Sequence, residues 1–314
     1  MKKIAEFILV ILVLVAITLG CAFIYKHFTT PKEVELSDNT EKASNVMFNL
    51  DNYPKVDASL ATQPLTDAFA AAFTGEYNIP EDWYGYTNTH PAYIRLIDKE
   101  VDVIVVTEPS EDELKYAKDN GVELVVTPVV KEGFVFYVNS SNPVNNLSLG
   151  QIKKIYSGKV VNWNEVGGNA GMIRPFQRPA NSGSQTGMLS LVMKDTPLMT
   201  PIKEDLIETM EAIINLVADY DNGENAIGYS YYYYATTMFE DIDKEITDKI
   251  KLLSIDGVKP SNETIKSGEY TLNTAYYIVT RKDDISEDAQ KLVNAMLSED
   301  GQMIAEEAGY VGVK

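Results

Sequence analysis

The sequence predicts an α/β fold with mostly parallel sheets, on three observations. Short β-type apolar runs alternate with helical patterns from about Val46 to the C-terminus. At 314 residues and 45% hydrophobic content, the chain can bury a core large enough for one big domain or two lobes of ordinary size. A charged fraction of 23% with 10% aromatics excludes a disordered chain.

In chain order, Leu65, Ala68, Phe69, Ala72 and Phe73 come first. They form one apolar stripe at helical spacing, with Pro64 placed as a first helical residue. Val101 to Val106 reads as a buried strand. Glu111 to Asn120 reads as a short helix stopped by Gly121. Val122 to Thr127, Phe134 to Val138 and Tyr276 to Thr280 read as further strands. Leu206 to Ala218 is an amphipathic helix, and Ala289 to Ala308 a last one interrupted near Gly301. There is no internal repeat, and the run of tyrosines at 231–234 is the one low-complexity stretch.

The N-terminus reads as targeting. Lys2 and Lys3 precede an uncharged apolar run from Phe7 to Tyr25, 19 residues long, close to the roughly 20 that span a bilayer. Either Thr18-Leu19-Gly20-Cys21 is a lipobox, cleaved before a lipidated Cys21, or the segment stays as an uncleaved anchor with its basic end inside. Both place the rest of the chain outside the membrane, tied to it by a polar tether over 26–45.

Composition excludes several functions. Forty-six acidic residues against 27 basic give a net charge of -19, which argues against sequence-independent nucleic-acid binding. One cysteine excludes an internal disulfide and a Cys-based zinc site. With only His27 and His90, a Ser-His-Asp triad or multi-histidine metal site has almost nothing to draw on. No cofactor is expected.

Three loops have the chemistry of an anion site. Val56 to Pro64 has small residues and the Thr62 hydroxyl at a helix start, a pattern that a plain helix cap also explains. Tyr86 to Tyr93 offers the hydroxyls of Thr87 and Thr89, with His90 as a structural or rim residue. Arg178 to Thr186 is more specific: Ser182, Ser184 and Thr186 cluster at a helix start beside an arginine whose fork suits an oxyanion. Gly183 to Gly187 is not a hydrolase elbow, since Gln185 stands where the nucleophile would.

Further residues extend the pattern in fixed order: Asn139, Asn142-Pro143-Val144, Leu147-Ser148, Gln151-Ile152, Ile155 to Lys159, Asn162-Trp163, Gly167-Gly168, Phe176-Gln177-Arg178, Ser182 to Ser184, Ile227 to Ser230, Gly301-Gln302 and Gly309 to Val311. With them the chain, from about Tyr53 to Lys314, resembles the phosphate-binding proteins of bacterial phosphate ABC transporters, within the type-2 periplasmic-binding-protein superfamily. The resemblance implies a two-lobed fold, each lobe a mostly parallel sheet flanked by helices, joined by two crossover strands. Lobe one is placed at 46–128 plus 276–314 and lobe two at 129–275. It implies an anion held by Ala61, Thr62 and Gln63, by Thr89 with Thr87 next, and by Arg178, Ser182, Gly183 and Ser184. Where the family carries an aspartate after the strand matching Val101 to Val106, this chain has Thr107-Glu108. Either Glu108 takes over with a longer arm or Thr107 substitutes a hydroxyl; Glu108 also suits the start of the helix at 111. The implied function is extracytoplasmic capture of phosphate or a similar oxyanion by a monomer, delivered to an ABC permease, without catalysis. The alternative is a tethered oxyanion sensor not coupled to transport.

Overall fold

The computed structural model describes residues 46–49, 51–76, 84–219, 223–239 and 243–314. The apolar N-terminal stretch, Cys21 and the tether lie outside the described residues. Among the described residues no helix is long and apolar enough to cross a membrane.

One sheet runs through the molecule in the order β2 (Tyr84–Gly85), β1 (Val56–Ala58), β3 (Val103–Val106), β10 (Asn273–Arg281), β4 (Leu124–Asn139), β7 (Ala226–Tyr231), β6 (Arg174–Pro175). β8 (Ile250–Leu252) and β11 (Val311–Gly312) also pair with β4, and β5 (Asn146–Leu147) pairs with β9 (Ser254–Ile255) apart from it. The sheet is mixed rather than mostly parallel. β1 pairs parallel with β2 and β3, and β6 with β7, but β4 and β10 lie antiparallel to their partners. The short inner strands β1 and β3 are buried throughout, as expected of parallel strands covered on both faces.

The long strand β4 organises the rest. Up to Gly133 it pairs with β10; from Phe134 it pairs with β7. The two strands expected at 122–127 and 134–138 are therefore one. Pro128 suggests a break, because it has no N–H for the ladder. Here the ladder shifts register between Tyr276 and Tyr277, so Val129 bulges out next to Pro128 and pairing resumes beyond it. The partner switch divides the sheet into a first half (β1, β2, β3, β10 and the start of β4) and a second half (the end of β4 with β7 and β6).

Helix α1 (Gln63–Thr74) buries the expected stripe: Leu65, Ala68, Phe69, Ala72 and Phe73 are all inside, and Pro64 lies one residue into the helix. Helix α2 (Thr89–Ile97) packs Tyr93 and Leu96 against Ile104 and Val106 of β3. Helix α3 (Glu111–Asp119) starts at Ser110, whose hydroxyl accepts from Glu113 N, and ends before Gly121 at φ +70. Helix α4 (Leu149–Tyr156) starts at Ser148, which accepts from Gln151 N, and buries Ile152, Ile155 and Tyr156.

Two helix boundaries differ from expectation. The helix expected from Leu206 begins at Met210 (α6, Met210–Asp219). Its first residues are held extended instead, by Gln177 N donating to Asp205 O and Ile207 N donating to Gln177 O. The last helical pattern splits into Glu287–Met296 and Glu299–Glu307. The break is at Leu297-Ser298, where Ser298 caps the second helix. Gly301 lies inside that helix, where a Cβ would come 2.2 Å from Ala295 O; it is small for close packing, not for a kink.

Candidate functional site

A cavity of about 380 Å³ lies between the two halves of the sheet. At about 30 Å³ per water, it has room for a small oxyanion with its waters.

The first wall is built from three loop ends. Ser59, Leu60 and Ala61, between β1 and α1, line it. So do Thr87 to Pro91, at the start of α2, and Thr107, just past β3. Buried Asp57 holds these loops together: it accepts from Ala58 N, Thr87 N and Thr87 Oγ1 and is ion-paired with Arg95. Glu113 does the same for α2, facing His90 Nδ1 at 2.9 Å and accepting from Ser110 N at 2.7 Å.

The second wall is Arg178 to Ser184. α5 (Gly183–Gly187) begins here and runs on into a wider helical stretch, Met188–Met193. Ser182 caps it, accepting from Gln185 N. Gly183 and Ser184 line the cavity, and their N–H groups have no acceptor within the helix, as in any first turn, at the positive end of the helix dipole. Arg178 N donates to the Tyr229 hydroxyl at 3.0 Å, which donates in turn to Gln185 Oε1, so the arginine's backbone is pinned from both sides.

Two residues at the walls have positive φ. Asn88 (φ 74, ψ 172) precedes α2 and Asn181 (φ 64) precedes the α5 cap. The Asn88 conformation is otherwise almost confined to glycine and costs on the order of 1–3 kcal/mol. Asn88 and the first residues of α2 line the cavity.

The polar groups in the cavity are unbalanced. Arg178 Nε and Nη1, Ser184 Oγ and Thr107 Oγ1 are buried without a hydrogen-bonding partner among the described residues. The Tyr231 hydroxyl beside Thr107 donates to Gly183 O at 2.9 Å. A buried polar group left unpaired costs about 1–3 kcal/mol, more when charged. Burial lowers the Arg178 pKa from its usual value, the direction expected of a desolvated cation. These four groups belong to residues that line one cavity, and an anion with several acceptor oxygens has the chemistry to pair with them. A larger groove of about 680 Å³, lined by Met47, Phe73 and Lys291, holds none of them.

Of the sequence-predicted residues, Ala61, Thr87, Thr89, Thr107, Arg178, Ser182, Gly183 and Ser184 meet at this cavity. Three do not line it. Thr62 is buried, with its hydroxyl turned inward to donate to Val105 O and accept from Ser59 N; it locks the loop to β3. Gln63 donates its N–H to Leu60 O. Glu108 points away and accepts from Ser190 Oγ across the interface. Of the two, Thr107 is the one that lines the cavity. Thr87 lines the cavity, but its hydroxyl proton is committed to Asp57.

Sequence reasoning placed Ser59, Asn88 and Asn181 within its three loops without singling them out, and it missed Glu208, Thr209 and Tyr231. Asn88 and Asn181 had a signal, an asparagine just before a helix start. Glu208 and Thr209 had none, because their pattern reads as helix and only the pairing with Gln177 brings them here.

The PBP superfamily domain matches residues 52–300. The chain belongs to this superfamily. Phosphate-binding protein PstS of Bacillus subtilis is 32% identical over 191 residues, covering 60% of this chain and 58% of that protein. PstS of Staphylococcus epidermidis is 23% identical over 263 residues, covering 82% of this chain and 78% of that protein. Among solved structures, the chain is similar to a Clostridium perfringens substrate-binding protein assigned to phosphate ABC transport and solved with phosphate bound. That match has TM-score 0.62 and 22% identity, covering 84% of this chain and all of that one. An ABC-type phosphate transport receptor from Vibrio cholerae matches with TM-score 0.60 and 20% identity, covering 82% and 98%.

Proposed function

We propose that this chain is an extracytoplasmic solute-binding protein that captures inorganic phosphate between two lobes and hands it to an ABC permease. One observation carries the reading: Arg178 Nε and Nη1, Ser184 Oγ and Thr107 Oγ1, buried and unpartnered, all belong to residues lining one cavity walled by both halves of the sheet. The relatives named phosphate-binding protein support phosphate as the anion.

The binding shell would be Arg178, Ser184, Thr89, Thr107 and the N–H groups of Gly183 and Ser184. Arg178 supplies charge, the hydroxyls and backbone donors fix the tetrahedral geometry, and burial strengthens each contact. The surface charge of -19 does not prevent this, because an enclosed ion feels the adjacent dipoles and Arg178 more than distant charges screened by salt. The lobes, about 46–128 plus 276–314 and 129–275, would close on the ligand, with β4 and β10 as the crossing strands. Tethering would be through lipidated Cys21 or the uncleaved apolar segment, with the protein a monomer. Its buried carboxylates are engaged in structural pairs, so no general base is assigned.

Isothermal titration of phosphate into the full chain in detergent tests the reading. Saturable one-to-one binding is expected. No heat with phosphate, alongside a clear signal from another solute, sinks it.

A further inference from the structure

If the cavity captures an anion as proposed, on which this inference rests, its acceptors decide which tetrahedral oxyanion it takes. Near neutral pH phosphate carries a proton on at least one oxygen, while sulfate, of the same shape, carries none. A buried carboxylate with a free oxygen separates the two, accepting the proton of one and repelling the other.

Among the described residues, the carboxylates that line or flank this cavity are engaged elsewhere or exposed. Asp57 accepts from Ala58, Thr87 and Arg95. Glu113 accepts from Ser110 and faces His90. Glu108 is not among the lining residues and accepts from Ser190. Asp112 accepts from Asn181 Nδ2 at 3.0 Å. Glu208 lines the cavity and its charge acts on Arg178, but it is exposed to water, which screens it. Among the described lining residues, the unpartnered buried oxygens are the hydroxyls of Thr107 and Ser184. By rotating, a hydroxyl can donate to a bare oxygen or accept from a protonated one.

We propose that Thr107 makes this cavity indifferent to the ligand's proton, so that it takes sulfate in competition with phosphate. Thr107 is central to this: its Oγ1 lies 2.6 Å from where a Cβ on Gly183 would stand, as does Thr89 Oγ1, so it sits at the pinch between the two walls. A carboxylate at this position would face the ligand.

The test is competition calorimetry on the full chain in detergent, titrating phosphate, sulfate, and phosphate into sulfate-saturated protein. The two affinities should lie within about tenfold and compete, against the roughly 10⁴- to 10⁵-fold gap of a site that reads a single hydrogen-bonding group. In Thr107→Asp, sulfate affinity should fall at least about a hundredfold further than phosphate affinity, and in Thr107→Val both should fall together. Phosphate binding with no sulfate binding overturns this inference and leaves phosphate capture standing. Binding of neither anion overturns phosphate capture and this inference with it, as does binding of sulfate alone. If Thr107→Asp folds, binds phosphate and still takes sulfate as the wild type does, Thr107 does not set the selectivity.

Discussion

The two walls of the cavity are built on opposite principles. The first wall satisfies its own charges: Asp57 is surrounded by Ala58, Thr87 and Arg95, and Glu113 by Ser110 and His90. What it presents is neutral, chiefly threonine hydroxyls. The second wall leaves its charge open: Arg178 has two buried N–H positions without partners, and Ser184 has a third unpartnered group. One wall pairs its charges internally and leaves open only the Thr107 hydroxyl, and the other leaves a charged group open. The attraction for an anion should therefore come from the second wall, and the discrimination between anions from the first.

Substitutions can break this division, and Arg178→Ala is expected to have the largest effect. It should weaken phosphate binding by about 3 kcal/mol, on the order of a hundredfold, from the loss of two charge-assisted contacts. Without ligand its melting temperature should not fall, because its buried Nε and Nη1 have no hydrogen bond to lose. A lowered melting temperature with unchanged affinity would mean that the arginine serves the fold.

Glu132 tests the joint between the walls. It lies in β4 at the switch from β10 to β7 and accepts from Gly133 N and Tyr233 N. Burial pushes its carboxyl up to about 7. Since the folded pKa exceeds the unfolded one, the protonated form is favoured on folding. That stability is fully present below about pH 4.5 and is lost as pH rises through about 7. Glu132→Gln should remove this slope and gain on the order of 2–3 kcal/mol at pH 8 relative to wild type. Denaturant titrations at pH 4.5 and 8 check it, and a difference between wild type and variant that does not change with pH would refute it.

Gly183→Ala probes the contact between the walls. The added Cβ would stand 2.6 Å from both Thr89 Oγ1 and Thr107 Oγ1. Overpacking of this kind costs about 1–3 kcal/mol, and here it should appear as weaker binding with little change in melting temperature. Equal losses in both would assign the glycine to the fold. The smallest effect on binding is expected from Asp112→Ala, which removes the hydrogen bond with Asn181 across the walls. Because this bond is exposed, no more than about 0.5–1 kcal/mol of binding should be lost. A larger loss in calorimetry would show that rim contacts, and not the buried shell, hold the walls together.

Much of the site was legible in the sequence, for a local reason. A cluster of Ser, Gly and Thr beside Arg178 signals a helix start with spare donors, and the donors belong to the same short stretch as the residues that reveal them. Thr62 failed for the complementary reason. A hydroxyl at a helix start looks the same in sequence whether it faces a ligand or, as here, the Val105 carbonyl. The choice between Thr107 and Glu108 was open for the same cause, since adjacent residues leave a strand end in opposite directions.

The sequence by itself determined the α/β alternation, the stripe of α1, the Arg178–Ser184 donor cluster and its family. Each depends on spacing along a few consecutive residues. The tertiary structure alone decided that Pro128 sits at a bulge inside one continuous strand, and that residues 206–209 pair with the Gln177 segment instead of joining α6. It alone also decided that Asp57 and Glu113 are engaged while Arg178 is not. Those outcomes depend on which distant backbone or charge lies within hydrogen-bonding distance, and periodicity along the chain carries no information about that.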